Sequence, residues 1–262
     1  MTKTFQYYLE LTWEMTKRDL SARYRGSLLG VAWSLVTPVL MLLVYTFVFG
    51  VVFKARWGGT ELDSADFALA LFTGLLTFGI FSESVNRSPS LILGHQNLVK
   101  KVVFPLEILP LMAVLTAVIQ AGISLAVLLV ACIVMRGGLP WTTIYVPLVL
   151  APVILLTLGF TWGLSAMGVF LRDIGQGVAV VTTALMFLTP IFYPLEALPE
   201  SYRHLAASSP LAVAVENMRQ VVLWGKQPDW SSVLVGLAVS VPVAITGYGL
   251  FMRTKKGFAD VL

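Results

Sequence analysis

The chain has 262 residues, of which 57% are hydrophobic and only 12% charged, with a mean hydropathy of +0.84 and a net charge of +4. Soluble domains are roughly 25% charged, so this composition excludes an ordinary water-soluble fold. A single cysteine, Cys132, excludes an intramolecular disulfide framework and a multi-cysteine metal cluster.

Residues 1–27 form the first unit. They carry Lys3, Glu10, Glu14, Lys17, Arg18, Asp19, Arg23 and Arg25 with no unbroken apolar core, unlike a signal peptide. Phe5, Tyr8, Leu9, Thr12, Trp13, Thr16 and Leu20 fall on one side of a 3.6-residue helix. Glu10, Glu14, Lys17 and Arg18 fall on the other, with Glu14 and Arg18 spaced for an i,i+4 pair. The pattern predicts an amphipathic helix in the membrane interface, or one packed on a soluble partner.

Residues 28–262 read as a single transmembrane domain. No Asp, Glu, Lys or Arg occurs in Leu28–Phe53, Ile108–Met135, Ile174–Leu195 or Trp230–Met252. A helix needs about 20 apolar residues to cross ~30 Å of hydrocarbon. The sequence therefore predicts an all-α polytopic membrane protein with six spans near 28–53, 67–92, 108–135, 144–171, 176–195 and 230–252. With six spans, twelve of the 18 Lys and Arg fall on the side of the N-terminus, which puts both termini in the cytoplasm. In the second span, Glu83 and Arg87 are four apart in the favourable order and can pair along one helix face. Gly159 and Gly163 in the fourth give a small-xxx-small spacing for close helix packing. Ser165 lies between Gly163 and Gly168, but the spacing is not G-x-S-x-G and neither His95 nor His204 lies within a span, which argues against hydrolysis.

Two connectors carry their own pattern. Residues 94–107, between spans two and three, contain Asn97-Leu98-Val99-Lys100-Lys101 followed by Phe104-Pro105 and Glu107. A short helix stopped before Pro105 would offer Leu98, Val99 and a lysine to a cytoplasmic partner, or be a plain loop helix. Residues 196–228, between spans five and six, predict two short re-entrant helices. One lies near Glu200–Ala207 and would include Tyr202. The other runs from Ser209-Pro210 to Gly225, with Leu211, Val215, Met218 and Val222 as its stripe and Glu216 and Arg219 on the opposite face. Such structure survives at membrane depth only where protein or a water-filled cavity covers it. An outer gate explains it, as does a structural plug or an external docking site.

Several segments in series resemble one family. Arg18-Asp19, Arg23-Tyr24-Arg25-Gly26-Ser27-Leu28-Leu29-Gly30, Trp33 and Pro38 come first, then the 97–110 segment with Leu109-Pro110. Phe170-Leu171-Arg172-Asp173 and Thr189-Pro190-Ile191-Phe192-Tyr193-Pro194 follow. The chain resembles the membrane permeases of bacterial polysaccharide ABC exporters, closest to O-antigen exporters, with teichoic acid and capsule exporters as relatives. The resemblance implies a non-enzymatic inner-membrane subunit that forms a homodimeric channel, bound to two copies of a separate ABC ATPase. The implied cargo is a polysaccharide on an undecaprenyl-pyrophosphate lipid; a drug or small-molecule permease has the same architecture, and no nucleic acid is involved. No G-x-x-x-x-G-K-[ST] occurs, so the chain does not cradle nucleotide phosphates in the usual way. The resemblance implies no cofactor in this chain, with ATP and Mg bound by the partner.

From that resemblance the ATPase contact falls on Asn97, Leu98, Val99, Lys100, Lys101, Phe104, Pro105 and Glu107, with Arg172 and Asp173 as a smaller contact. Arg18, Arg23 and Arg25 lie level with headgroups, where arginine forks suit a pyrophosphate, or fix topology, or bind anionic lipid. Tyr45, Phe49 and Phe53, and Phe187, Phe192 and Tyr193, would line the channel as weak sliding contacts for sugars, or face lipid or a neighbouring helix. Tyr202, Leu211, Val215, Met218 and Val222 would form the outer gate.

Overall fold

The computed structural model describes residues 2–53, 64–100, 104–201, 203 and 209–262; Lys101, Tyr202 and most of the expected 200–207 helix lie outside them. Among the described residues every regular element is helical. Helix α1 (Thr2–Arg23) precedes α2 (Trp33–Tyr45), which widens into π-helical turns over Thr46–Val52. Then come α3 (Ser64–Leu91), the short α4 (Gln96–Lys100), α5 (Ile108–Arg136), α6 (Val146–Phe170) and α7 (Ile174–Leu188). Helices α8 (Pro210–Val222), α9 (Trp230–Thr254) and α10 (Phe258–Val261) close the chain.

Among the described residues, five helical stretches are long and apolar enough to cross a membrane: Gly30–Phe49, Asp66–Leu91, Ile108–Arg136, Trp141–Phe170 and Trp230–Val261. The expected fifth span, 176–195, is different. Its helix is α7, whose 15 residues reach only about 22 Å at 1.5 Å per residue. The helix stops because Pro190 and Pro194 bring no N–H and disfavour helical backbone before them; Thr189 is already extended at ψ 136°.

Helix α3 is the most deeply buried of the five stretches and the axis of the bundle. Leu69, Leu71 and Ile80 of α3 pack with Val149 and Val153 of α6 and with Val215, Met218 and Val222 of α8 in the larger core. The tightest crossing joins α6 to α9, where small residues let two backbones meet. A Cβ on Gly159 would lie 2.5 Å from the carbonyl oxygen of Val243, and one on Gly247 would be driven into the carbonyl of Gly159. The close-packing role expected of Gly159 is what the backbone shows.

A second core occupies the pole that carries both termini. Ile92, Leu109, Met112, Val169, Phe251 and Phe258 are buried there, and Met15 of α1, Leu98 and Val99 of α4, Phe104 and Leu262 pack against them. Helix α1 lies against α5 with Thr12 and Thr16 buried. Their hydroxyls donate to the Tyr8 and Thr12 carbonyls at 2.7 Å, which lets polar residues enter that contact without loss. The expected single apolar stripe is therefore split. Thr12 and Thr16 face the bundle, while Leu9 and Trp13 are exposed, as suits a helix lying in an interface. Glu14 pairs with Lys17 at 2.5 Å rather than with Arg18.

Candidate functional site

At the terminal pole, α1 is joined to α3 and α5 by a collar of charge. Arg87 donates through both terminal nitrogens to the Asp19 carboxylate, with Nη1 2.6 Å from Oδ2. Thr116 on α5 donates to the same oxygen at 3.0 Å, and Arg23 Nε lies 3.8 Å away. Arg23 also donates to Glu83. The expected pairing of Glu83 with Arg87 along α3 is thus replaced by two crosswise bridges, Asp19 to Arg87 and Glu83 to Arg23. Both helices carry an i,i+4 couple of opposite charges, in the order acid then base, so facing faces can exchange partners. Burial alone would push the Asp19 carboxyl up. The hydrogen bonds and charge of Arg87, the Thr116 hydroxyl and the Arg23 charge outweigh it and hold it below the usual carboxylate value.

The three arginines grouped as a lipid-pyrophosphate entrance stand apart in the structure. Arg23 belongs to the collar, and Arg25 is exposed on the turn after α1. Arg18 is exposed beside a cavity of about 240 Å³ that it lines with Met15, Asp19, Ala22, His95, Leu98 and Met112. His95 keeps its Nδ1 2.8 Å from the Leu91 carbonyl.

The segment 94–107 is two-faced where it is described. Asn97 and Lys100 of α4 are exposed, whereas Leu98, Val99 and Phe104 lean on the terminal-pole core. Pro105 closes the turn by accepting the Ile108 N–H at 3.0 Å. Glu107 is turned inward: its carboxylate meets Lys255 at 2.5 Å, and its carbonyl accepts the indole N–H of Trp162 at 3.1 Å. Arg172 and Asp173 are exposed between α6 and α7.

The aromatics divide in the same way. Tyr45 and Phe49 pack against the larger core, Phe49 stacking on Phe67 of α3 with ring centres 5.3 Å apart, and Phe53 is exposed. Tyr45 lines a groove of about 230 Å³ between α2, α3 and α5 whose polar members include Glu83, Gln120 and Ser124. Phe187 is exposed and stacks on Phe192 at 5.4 Å, and Tyr193 donates its hydroxyl to the Phe187 carbonyl at 2.9 Å.

At the opposite pole, Leu211, Val215, Met218 and Val222 are buried, as their stripe predicts. Arg219 was expected on the other, polar face and is instead wholly buried: α8 is covered nearly all round, with Glu216 and Gln220 left partly exposed. Sequence patterning missed this because a guanidinium satisfied by carbonyls leaves no mark in hydrophobic periodicity. Ser165 donates to the Thr161 carbonyl at 2.5 Å inside α6, a back-bond rather than a nucleophile's geometry.

The sequence matches the family described as ABC-2 type transporter over residues 10–223. It is 30% identical to an O-antigen export system permease protein RfbA of Myxococcus xanthus, over 99% of this chain and 98% of that one. It is 25% identical to a protein of the same name from Klebsiella pneumoniae, over 98% and 96% of the two chains. A polysialic acid transport protein KpsM of Escherichia coli is 27% identical over 79% of each.

Proposed function

The chain belongs to the ABC-2 type transporter family, and from that premise we propose that it is the membrane permease of an ATP-driven exporter of lipid-linked polysaccharide, most closely of the O-antigen type. The observation that carries this reading is the end-to-end likeness to permeases named for O-antigen export, over almost the full length of both chains. The chain is a transport subunit rather than an enzyme. ATP and Mg bind two copies of a separate ATPase, and two copies of this chain form the pathway, because a single bundle this small encloses no hydrated glycan. The protein sits in the bacterial inner membrane with both termini cytoplasmic. Helix α7 with the Thr189–Pro194 segment that follows it makes the sixth crossing, and the 196–228 region closes the outer mouth. A second reading keeps a capsule polysaccharide as cargo, and the likeness to a protein named for polysialic acid transport favours a glycan other than O-antigen.

The ATPase meets the coupling segment at the exposed Asn97 and Lys100 and at Lys101, while Leu98, Val99, Phe104 and Glu107 hold that segment to the bundle. Arg172 and Asp173 supply a smaller contact. Arg18 and Arg25 are the arginines free to receive a pyrophosphate headgroup, and Arg23 serves through the collar. Closure of the ATPase pair moves the spans as rigid bodies. Reversing the charge of Lys100 and Lys101 tests this: the ATPase should no longer copurify and nucleotide turnover should lose its dependence on the permease. Unchanged assembly and turnover would refute the assignment. Export assayed with O-antigen and capsule glycans on the same carrier separates the two cargo readings.

A further inference from the structure

Helix α8 is pinned from several sides at once. Arg219, fully buried, donates from Nε to the Ala70 carbonyl at 3.1 Å, from Nη1 to Pro190 at 2.6 Å and from Nη2 to Ile191 at 2.7 Å. The Glu216 carboxylate stands 3.6 Å from Nη1. The Pro190 and Ile191 carbonyls come just after α7 ends, so the helical ladder no longer serves them, and the buried guanidinium of Arg219 does. Gly74 clears the space on α3: a Cβ there would lie 2.9 Å from Arg219 Nη2. On its other side, Asn217 donates to Ser232 Oγ at 3.0 Å and accepts the Asp229 N–H at 2.7 Å, at the start of α9. Thr142 donates to the Val221 carbonyl at 2.7 Å, and Arg136 to that of Leu223 at 2.5 Å.

From these contacts we infer that Arg219 is a positioning residue that makes α8 a fixed wall of the outer mouth, and that α8 does not swing aside when the pathway opens. To leave its place, α8 would have to strip a fully buried guanidinium of three carbonyl partners, and a buried charge left unpaired is costly. It would also break the bonds to α5, to the turn before α6 and to α9. Interfaces of this kind move as blocks, so opening comes from displacement of the bundle with α8 and α9 kept together, one copy against the other. The inference rests on the export-permease reading for what the wall seals; the pinning itself does not depend on it.

Two measurements test it. In a Cys132→Ala background, Asn217→Cys and Ser232→Cys are oxidised to a disulfide tying α8 to α9, and ATP-driven export is compared before and after reduction. A fixed wall predicts equal export in both states. Export lost on oxidation and restored on reduction would overturn the inference. Separately, the chain alone is placed in vesicles holding a self-quenched anionic dye. Arg219→Met should raise dye leakage about ten- to a hundredfold, the factor by which one lost hydrogen bond from a charged donor shifts a two-state ratio. Gly74→Ala should leak likewise although it removes no charge, and it stands in should Arg219→Met fail to fold. Arg219→Lys, which keeps the charge without the fork, should leak less than Arg219→Met. Folded variants as tight as the parent would refute the positioning role. Since leakage needs neither ATPase nor glycan, a parent that exports nothing would count against the functional reading alone.

Discussion

Replacing Asp19 with asparagine should loosen α1 from the bundle by about 2–3 kcal/mol, between the ~0.2–1 of exposed pairs and the ~3–5 of fully buried ones. The position on that scale follows from the structure. The Asp19 side chain is 10% exposed and that of Arg87 30%, so neither is in water nor wholly out of it. Asparagine keeps the shape but removes the charge that holds both terminal nitrogens of Arg87, and it leaves Thr116 a weaker acceptor. Thermal unfolding of the detergent-solubilised protein would show this as a drop of roughly 5–10 °C for a chain of this size. The decisive assay is a double-mutant cycle with Arg87→Gln, read by the same transition, with a coupling energy of at least about 1.5 kcal/mol expected. Additive effects, with coupling below about 0.5 kcal/mol, would refute the view that the collar holds α1 in place. The exposed Glu14–Lys17 pair on the same helix is the control, and its removal should leave the transition unmoved.

Three further outcomes follow from the same geometry. Because the Asp19 carboxyl is held below its ordinary 3.8, its contribution is complete above that value and lost only as pH falls through its own lower one. Docking of α1, read by protease access at Lys17 and Arg18, should therefore be constant from about pH 8 to about pH 5 and fail only below about pH 4; release near pH 6 would contradict it. Gly247→Ala should destabilise by about 1–3 kcal/mol or more, since its methyl meets the α6 backbone, whereas Gly249→Ala, with open space around it, should be neutral or up to ~1 kcal/mol stabilising. Thermal unfolding of the two variants side by side checks this, and equal effects would refute the crossing. Reversing either Glu107 or Lys255 alone should lower thermal stability and the yield of ATPase complex, and the double reversal Glu107→Lys with Lys255→Glu should recover both.

Much of the bundle was legible in the sequence because exclusion of charge from hydrocarbon is a one-dimensional signal. The uncharged runs Leu28–Phe53, Ile108–Met135 and Trp230–Met252 each contain a long helix. The run Ile174–Leu195 shows the limit of that signal, since hydropathy continues through Thr189–Pro194 after the prolines have ended the helix. The inward side of the 94–107 segment was partly readable, with Leu98, Val99 and Phe104 as its apolar members, but nothing in spacing says that Lys255, much later in the chain, answers Glu107. The crosswise collar and the buried Arg219 were illegible for the same reason. A charge with a local i,i+4 or i,i+3 partner reads as self-sufficient, and only the third dimension shows the stronger partner on another helix.

Phe258 is fully buried against Phe251 and Phe170, and its short helix touches α4. The family match ends at residue 223, yet this closing turn is clasped into the same knot as α1, α4 and the ends of α5 and α6. Interiors packed to crystal density relay strain instead of cushioning it. A nudge delivered at α4 is thereby felt at once by several rods, and reaches the distant pole as a tilt of whole shafts rather than as a dent near where the blow fell.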